Sequence, residues 1–134
     1  MREIMFRGKA ACGAWVQGDL IHRKIWQSEF EVIRVDDSGF DNYQEYEVAT
    51  ETIGQYTGLT DKNGKKIFEG DILAFSDRLV YVHWHDYCGC WDCSYIKAIE
   101  GKPTLHEDRS PNKWRYNAEV IGNIHDNKEL FEVK

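Results

Sequence analysis

A short stretch near the middle of the chain is rich in the side chains that bind transition metals. Imidazole nitrogens and thiolate sulfurs are preferred ligands of zinc, and four of them arranged as a tetrahedron complete a structural site. The stretch supplies two histidines and three cysteines, which are His83, His85, Cys88, Cys90 and Cys93. These five residues, called here the His/Cys cluster, are the candidate metal ligands of the sequence.

The spacing of the His/Cys cluster decides whether its members can meet. If residues 79–85 form a strand, His83 and His85 project from one face, and a turn near Gly89 folds the cysteines back toward them. The Cys-x-Cys-x-x-Cys spacing differs from the paired knuckles of familiar zinc sites. The alternative is a reduced hairpin whose cysteines pack as small hydrophobes. We therefore predict no cofactor, with zinc held by two histidines and two of the cysteines as the competing hypothesis.

A cysteine nucleophile is the enzymatic interpretation of the same stretch. Cys88 or Cys93 would be activated by a histidine of the cluster, with Asp86 or Asp92 as the orienting carboxylate. Nucleophile and base usually come from distant segments of a chain, whereas all of these residues would lie on one hairpin. We therefore assign no catalytic residues and expect a protein that is not an enzyme.

The elements that must position the cluster are predominantly strands. Val80, Val82 and Trp84 alternate with the residues between them, as a strand over residues 79–84 requires. Runs of β-branched and aromatic residues predict further strands, at residues 30–35, 46–48, 71–75 and 118–124.

Two local signals predict the connections between strands and the end of the chain. Asn63-Gly64 stands between two short runs and predicts a hairpin over residues 57–72, closed by a type I′ turn whose two central residues both take positive φ. Asp126 and Glu129 have the spacing of a helix N-cap and its reciprocal glutamate, which predicts a short closing helix at about residues 127–132.

Composition and charge restrict the classes of partner. The chain has 134 residues, 13% of them aromatic, and Asp and Glu outnumber Lys and Arg by 23 to 17, for a net charge of -6. This charge opposes attraction to phosphate backbones and anionic lipid, so we expect neither a nucleic acid nor a membrane as partner. Trp114, between Lys113 and Arg115, favours stacking on single-stranded nucleic acid, and core packing is its alternative.

The distribution of cysteines and charges along the chain carries two further expectations. Three cysteines crowd together while Cys12 stands alone, which is not a disulfide framework, so we expect a reduced, cytosolic protein. Residues 1–27 carry five basic and two acidic side chains, whereas residues 28–51 carry one basic and eight acidic. We expect these two segments to attract each other.

Three separated stretches resemble the YopX family of phage and prophage proteins. They are residues 1–7 with 15–20, residues 52–72 with Asn63-Gly64 and Glu69-Gly70-Asp71 in register, and residues 119–124. The resemblance implies a small, β-rich protein of temperate phages or prophages that self-associates, and it implies no catalytic residues. Ala49-Thr50 stands where the family often has Asp-Pro, and the region from His83 to Asn117 is particular to this chain.

Together these observations predict a mainly β protein, α+β only by a minor helix, in a single domain over residues 1–134. Its subdivisions would be an N-terminal β subdomain, residues 1–56, and a small SH3-like, partly open barrel with a short C-terminal helix, residues 57–134. We expect a phage- or prophage-encoded accessory protein in the cytoplasm of a bacterial host, acting as an oligomerising, non-enzymatic module that binds a phage or host protein. The alternatives are a zinc-stabilised binding module that uses the His83–Cys93 stretch and a nucleic-acid-binding protein.

Overall fold

The computed structural model describes residues 3–36, 42–102 and 108–131, and the chain divides into two compact units. The first unit is Met1–Tyr56 and the second is Thr57–Lys134. The described residues form antiparallel strands for the most part, together with one short α-helix and three 3-10 turns. The prediction of a mainly β fold with a minor helix is therefore confirmed.

The first unit is a sheet of long strands. Its elements are β1 (Phe6–Lys9), β2 (Trp15–Ile25), β3 (Ser28–Asp36), β4 (Tyr43–Val48), a 3-10 turn (Thr50–Thr52) and β5 (Gly54–Thr60), which continues into the second unit. The strands lie in the order β4-β3-β2-β1-β5. Val32, Ile33 and Val48 are buried in this unit. Val32 and Ile33 are consecutive on β3 and point to opposite faces, so both faces of the sheet are covered at this place.

Charged side chains of the basic and acidic segments pair across the strands of the first unit. Arg23 on β2 contacts the Glu45 carboxylate on β4, and Lys24 Nζ lies 3.9 Å from Glu29 Oε1 on β3. His22 Nδ1 lies 2.7 Å from Glu31 Oε1, and Nη2 of Arg34, itself within residues 28–51, lies 3.2 Å from Glu45 Oε1. Exposed pairs of this kind contribute about 0–1 kcal/mol each. The pairs of Arg23 with Glu45 and of Lys24 with Glu29 join residues 1–27 to residues 28–51, as the charge distribution predicts.

The second unit contains a four-stranded antiparallel sheet in the order β10-β7-β8-β9. Its elements after β5 are β6 (Lys66–Phe68), β7 (Asp71–Ala74), β8 (Arg78–His85), β9 (Cys90–Ala98), a 3-10 turn (Pro111–Lys113), α1 (Trp114–Asn117), β10 (Glu119–Asn123) and a 3-10 turn (Lys128–Phe131). The strands pair in an open order, and SH3-like closure remains a prediction.

A cluster of buried side chains from the strands and α1 forms the core of the second unit. Its members are Ile67, Leu73, Phe75, Val80, Val82, Trp114 and Ala118. Val80 and Val82 occupy the inward face that the alternation of β8 predicts. Trp84 lies on the same face but beyond the core, where it is half exposed and packs edge-on against Trp91 with the ring centroids 5.0 Å apart.

The hairpin of β5 and β6 has a different turn from the predicted one. Gly64 has a positive φ of 80° but Asn63 does not, so the type I′ prediction is wrong. Asp61 organises the turn instead: its buried Oδ1 accepts hydrogen bonds from the amides of Asn63 (2.9 Å) and Lys65 (2.8 Å). The amide of Gly64 donates to Asp61 O at 3.0 Å. The loop is therefore a type I turn followed by a left-handed glycine.

The second oxygen of Asp61 connects this turn to the last strand. Asp61 Oδ2 accepts a hydrogen bond from the amide of Val120 on β10 at 2.9 Å, and the neighbouring Lys62 amide donates to Ala118 O at 2.9 Å. Asp61 is 3% exposed, so the carboxylate that accepts these three amides is itself shielded from bulk water. A residue of the turn thereby fixes the position of β10.

The closing helix expected at residues 127–132 is replaced by a single 3-10 turn, Lys128–Phe131, and residue 132 lies outside the described residues. The amide of Leu130 donates to Asn127 O at 3.0 Å, an i to i+3 bond. The Asn127 side chain accepts the amide of Asn123 at 3.0 Å, which ties the start of the turn to the end of β10. This tie favours a tight turn where the capping pattern predicts a helix.

Replacing Asp61 by Ala should destabilise the protein by about 3 kcal/mol, because three amides lose a carboxylate acceptor where water cannot fully replace it. Asp61→Asn is the matched control: it retains one acceptor oxygen and should lose clearly less. Thermal and urea unfolding of the three proteins measure the difference. Equal stability of wild type and Asp61→Ala would contradict the central position assigned to this carboxylate.

Replacing Gly64 by Val should lower the free energy of unfolding by about 1 kcal/mol or more, since a β-branched residue resists positive φ. Gly64→Asn should cost less, because asparagine tolerates the left-handed region. No side chain or backbone atom lies within 4 Å of a Cβ built at this position, so crowding does not confuse the comparison. Identical melting temperatures of the two variants would count against the turn described above.

Candidate functional site

The His/Cys cluster lies on the hairpin of β8 and β9, and strand register divides it between two faces. His83 is paired with Asp92 and His85 with Cys90, while Val82 is paired with Cys93. Directly paired residues of antiparallel strands project to the same side of the sheet. His83, His85 and Cys90 therefore share one face, and Cys93 lies on the opposite, core-facing side.

The histidine face carries a row of rings. Tyr81 and His83 have their ring centroids 5.5 Å apart, and His83 and His85 have theirs 6.4 Å apart. His83 Nε2 lies 2.7 Å from the hydroxyl of Ser94, and its Nδ1 lies 3.4 Å from the carbonyl oxygen of Trp84. Ser94 therefore competes with any metal ion for the ring nitrogen of His83.

The thiols of Cys88 and Cys90 are exposed at the turn that closes this hairpin. The amide of Cys88 donates to His85 Nδ1 at 3.2 Å, which engages one ring nitrogen of that histidine. The pKa of the Cys90 thiol is raised by desolvation, by the nearby Cys88 and Asp92, and by a hydrogen bond with Cys88. Cys88 and Cys90 are two residues apart and lie on either side of Gly89 in this turn.

Cys93 is separated from the rest of the cluster by the sheet itself. Its side chain is half-buried against the core of the second unit, and its Sγ lies 4.0 Å from Arg109 O. Burial, reinforced by Asp92, raises the pKa of this thiol to about 11, against the opposing effect of Arg109. Cys93 is therefore protonated at neutral pH and behaves as the small hydrophobe of the alternative interpretation.

These positions bear differently on the two chemical hypotheses. Among the residues that the structure describes, no three His, Cys, Asp or Glu side chains are grouped so that they could hold a metal ion. His85, Cys88 and Cys90 belong to one turn and its flanks, and zinc binding by the cluster remains the competing hypothesis. A Cys93 nucleophile activated by His83 is wrong, since the two side chains lie on opposite faces.

Trp114 is fully buried in the core of the second unit, and its Nε1 donates to Arg109 O at 2.9 Å. Lys113 and Arg115 are placed instead over the exposed ring of Tyr116, at 5.7 and 5.1 Å from its centroid. The hypothesis that Trp114 stacks on nucleic-acid bases is therefore wrong, because a ring without accessible faces cannot stack on a ligand.

The tip of the β2 and β3 hairpin is an exposed apolar site that sequence reasoning missed. Ile25 pairs with Ser28, which leaves a loop of two residues, Trp26 and Gln27. Trp26 is 92% exposed and has a φ of 57°, the one positive value outside glycine among the described residues. The sequence carries no clear signal for this turn, because Trp26-Gln27 contains none of the glycine, asparagine or aspartate residues typical of two-residue hairpin loops.

Asp77 is a second position that sequence reasoning missed. Its carboxylate is buried and receives Arg109 Nη2 at 3.0 Å and Arg78 Nη2 at 3.1 Å. The ion pair with Arg109 holds the segment before α1 against β9, where an open groove forms beside Trp91 and Tyr95. A lone aspartate in a turn gives no local indication of a partner 32 residues away.

The fold and site define a small, mainly β protein with exposed thiols at one hairpin turn and an exposed tryptophan at another. None of the helices that the structure describes has the length and apolar character needed to cross a membrane.

The comparisons identify the family. The family described as YopX protein matches residues 5–132, so the chain belongs to the YopX family. Its structure is similar to the crystal structure of protein EF1440 from Enterococcus faecalis, with a TM-score of 0.60 and 22% sequence identity over 98% of this chain and 100% of that chain. At this identity the likeness shows the fold alone. No curated protein matches the chain.

Protein purified without an affinity tag should contain close to no zinc, and a chelator should leave its melting temperature unchanged. The reasons are the engaged ring nitrogens of His83 and His85 and the position of Cys93 on the other face. Metal analysis and thermal unfolding check this. One zinc ion per chain, with a chelator-induced loss of stability that the Cys88→Ser and Cys93→Ser double variant abolishes, would establish the zinc hypothesis instead.

Proposed function

We propose that this YopX family protein is a phage- or prophage-encoded accessory protein that works as a non-enzymatic protein-binding module in the host cytoplasm. It self-associates through the tip of the β2 and β3 hairpin, and the same module serves a phage or host partner. The observation that carries the proposal is Trp26, which is held in a left-handed backbone conformation with its ring in solvent.

The left-handed backbone conformation of Trp26 destabilises the folded chain when it is a monomer. A non-glycine residue in the left-handed region costs roughly 1–3 kcal/mol, and glycine or asparagine would fill the same turn without that cost. The 92% exposed side chain recovers little of this cost inside the single chain. Strain of this kind is typically found where a side chain is presented to a ligand or partner.

Burial of the tip in a complex would more than offset the strain. A tryptophan removed from water contributes about 5 kcal/mol at the usual energy per unit of apolar area. Ile25 beside it is 56% exposed and would add to this contribution. Tryptophan is also enriched among the residues that dominate binding energy at protein interfaces.

The hairpin is well placed to make this contact. β1 pairs with residues 15–18 of β2, and β4 pairs with residues 31–36 of β3, so the part nearer the tip is a two-stranded ribbon. Lys24 and Glu29 flank the tip on opposite strands, with Nζ and Oε1 3.9 Å apart. An apolar centre with a charged rim is the usual anatomy of a protein interface.

A second copy of the chain is the occupant that the charges favour. In a two-fold symmetric contact, every contact of one residue with a second residue of the partner occurs twice, once from each copy. Lys24 of each copy can then face Glu29 of the other while the two apolar tips pack together. Like-charged rims would oppose such a contact, and this rim carries one charge of each sign.

Light scattering at micromolar concentration should give about twice the 15.7 kDa mass of one chain for the wild type and 15.7 kDa for Trp26→Gly. The free energy of unfolding of the variant monomer should not fall, because glycine relieves the positive φ. Tyr87→Ala is the matched control: Tyr87 is 95% exposed on the other hairpin tip, and its loss should leave the mass unchanged.

A charge swap tests the proposed partner within the same experiment. Lys24→Glu and Glu29→Lys should each weaken self-association, and the double variant should restore it. A wild-type mass of 15.7 kDa, or a Trp26→Gly protein that still associates like the wild type, would refute self-association through this tip.

A further inference from the structure

The turn between β8 and β9 carries neighbouring cysteines and is a second candidate site, independent of the Trp26 tip. His85 pairs with Cys90 and closes a loop of residues 86–89. The amide of Gly89 donates to His85 O at 2.8 Å, and Gly89 has a φ of 62° that a residue with a side chain would resist. Apart from the two chain neighbours of Gly89, no atom of the described residues lies within 4 Å of a Cβ built on this glycine, so the loop has space on that side.

Cys88 and Cys90 stand on either side of this glycine. Their Cα atoms are at most about 7 Å apart even in extended chain, which is close to the roughly 4.4–6.8 Å that a disulfide requires. Both thiols are exposed, and the loop that joins them reverses direction at Gly89. Cys88 is held by its amide, which donates to His85 Nδ1 at 3.2 Å.

We propose that Cys88 and Cys90 form a redox-active dithiol, which a low-molecular-weight disulfide such as oxidised glutathione converts reversibly into an intramolecular disulfide. The product would close a small ring around Gly89 and lock the loop that carries the exposed Tyr87. Disulfides in small, strained rings at a surface are readily reduced, as a regulatory bond must be.

The chemistry proceeds by two thiol–disulfide exchanges. The thiolate of Cys88 attacks one sulfur of oxidised glutathione, the bond between the two glutathione sulfurs breaks, and one glutathione leaves and takes up a proton. The thiolate of Cys90 then attacks the Cys88 sulfur of the mixed disulfide and releases the second glutathione. The two protein thiols together lose two electrons and two protons, and the glutathione disulfide gains them as two thiols.

The remaining cysteine of the hairpin is an internal control. Cys93 lies on the core-facing side of β9, paired with the buried Val82, and its raised pKa of about 11 leaves little thiolate at neutral pH. Reaction at Cys93 should therefore be slow compared with reaction at the turn. Cys12 is exposed and would take up glutathione on its own, so it is best removed by Cys12→Ser in every protein compared.

The experiment treats the full-length Cys12→Ser protein with oxidised glutathione at neutral pH and follows the intact mass and the mapped peptides. The protein should lose two hydrogens and retain no glutathione, with Cys88 and Cys90 joined in one peptide. Adding Cys88→Ser or Cys90→Ser should instead trap one glutathione per chain at the remaining thiol of the turn. Circular dichroism before oxidation checks that the variants share the fold.

Three results would overturn the proposal. These are stable glutathione adducts on both Cys88 and Cys90, a disulfide that includes Cys93, and a protein whose thiols stay unreacted. If a chelator restores reactivity in the last case, the thiols are bound to a metal and the zinc hypothesis gains support. None of these results depends on whether the Trp26 tip mediates self-association, so the two proposals fail separately.

Discussion

The second unit depends on a buried carboxylate that replaces backbone pairing where the chain turns. Asp61 accepts three amide hydrogen bonds, two within its own turn and one from Val120 on β10. Two further buried carboxylates accept hydrogen bonds in the same way. Asp71 accepts the amide of Phe68 at 2.8 Å, and Asp77 accepts the guanidinium of Arg109 in place of an amide. A buried amide without an acceptor destabilises the folded state by about 1–3 kcal/mol. These aspartates therefore stabilise the strand arrangement in which the donors are paired.

The tips of the β2–β3 hairpin and the β8–β9 hairpin place different types of residue in the left-handed backbone region. Short loops between antiparallel strands commonly place a residue in the left-handed region. The turn between β8 and β9 satisfies this with Gly89, whereas the turn between β2 and β3 places Trp26 there. A glycine leaves room for the neighbouring thiols of Cys88 and Cys90. A tryptophan in the left-handed region exposes a large apolar ring at the cost of backbone strain, and this is the basis of the proposed self-association.

The two-residue period of β-strands controls the chemistry available to the His/Cys cluster. Residues that are close in sequence were separated because odd and even positions of β9 point to different faces. Cys90 faces the histidines, Cys93 faces the core, and Ser94 reaches His83 from the histidine face. The cluster therefore offers a pair of thiols at the turn, and a four-ligand site would need the hairpin to rearrange.

The sequence by itself determined the elements whose signal is local. Alternation located β8 with its buried Val80 and Val82, the Asn63-Gly64 pair located a hairpin, and the resemblance of residues 52–72 indicated the YopX family. These features depend on neighbouring residues, and the conformational preferences of glycine and β-branched residues act over the same short range. The prediction of a type I′ turn is wrong because the side chain of Asp61, two positions before Asn63, accepts hydrogen bonds from the amides of the turn.

Tertiary structure decided the features that depend on partners far along the chain. Trp114 has the same sequence context whether it lies in the core or in solvent, and packing among the strands and α1 buries it. The bond of Asp61 to Val120 spans 59 residues, and that of Arg109 to Asp77 spans 32. Burial and long-range hydrogen bonds gain their energy from what the folded chain places opposite a residue, and no local pattern carries that information.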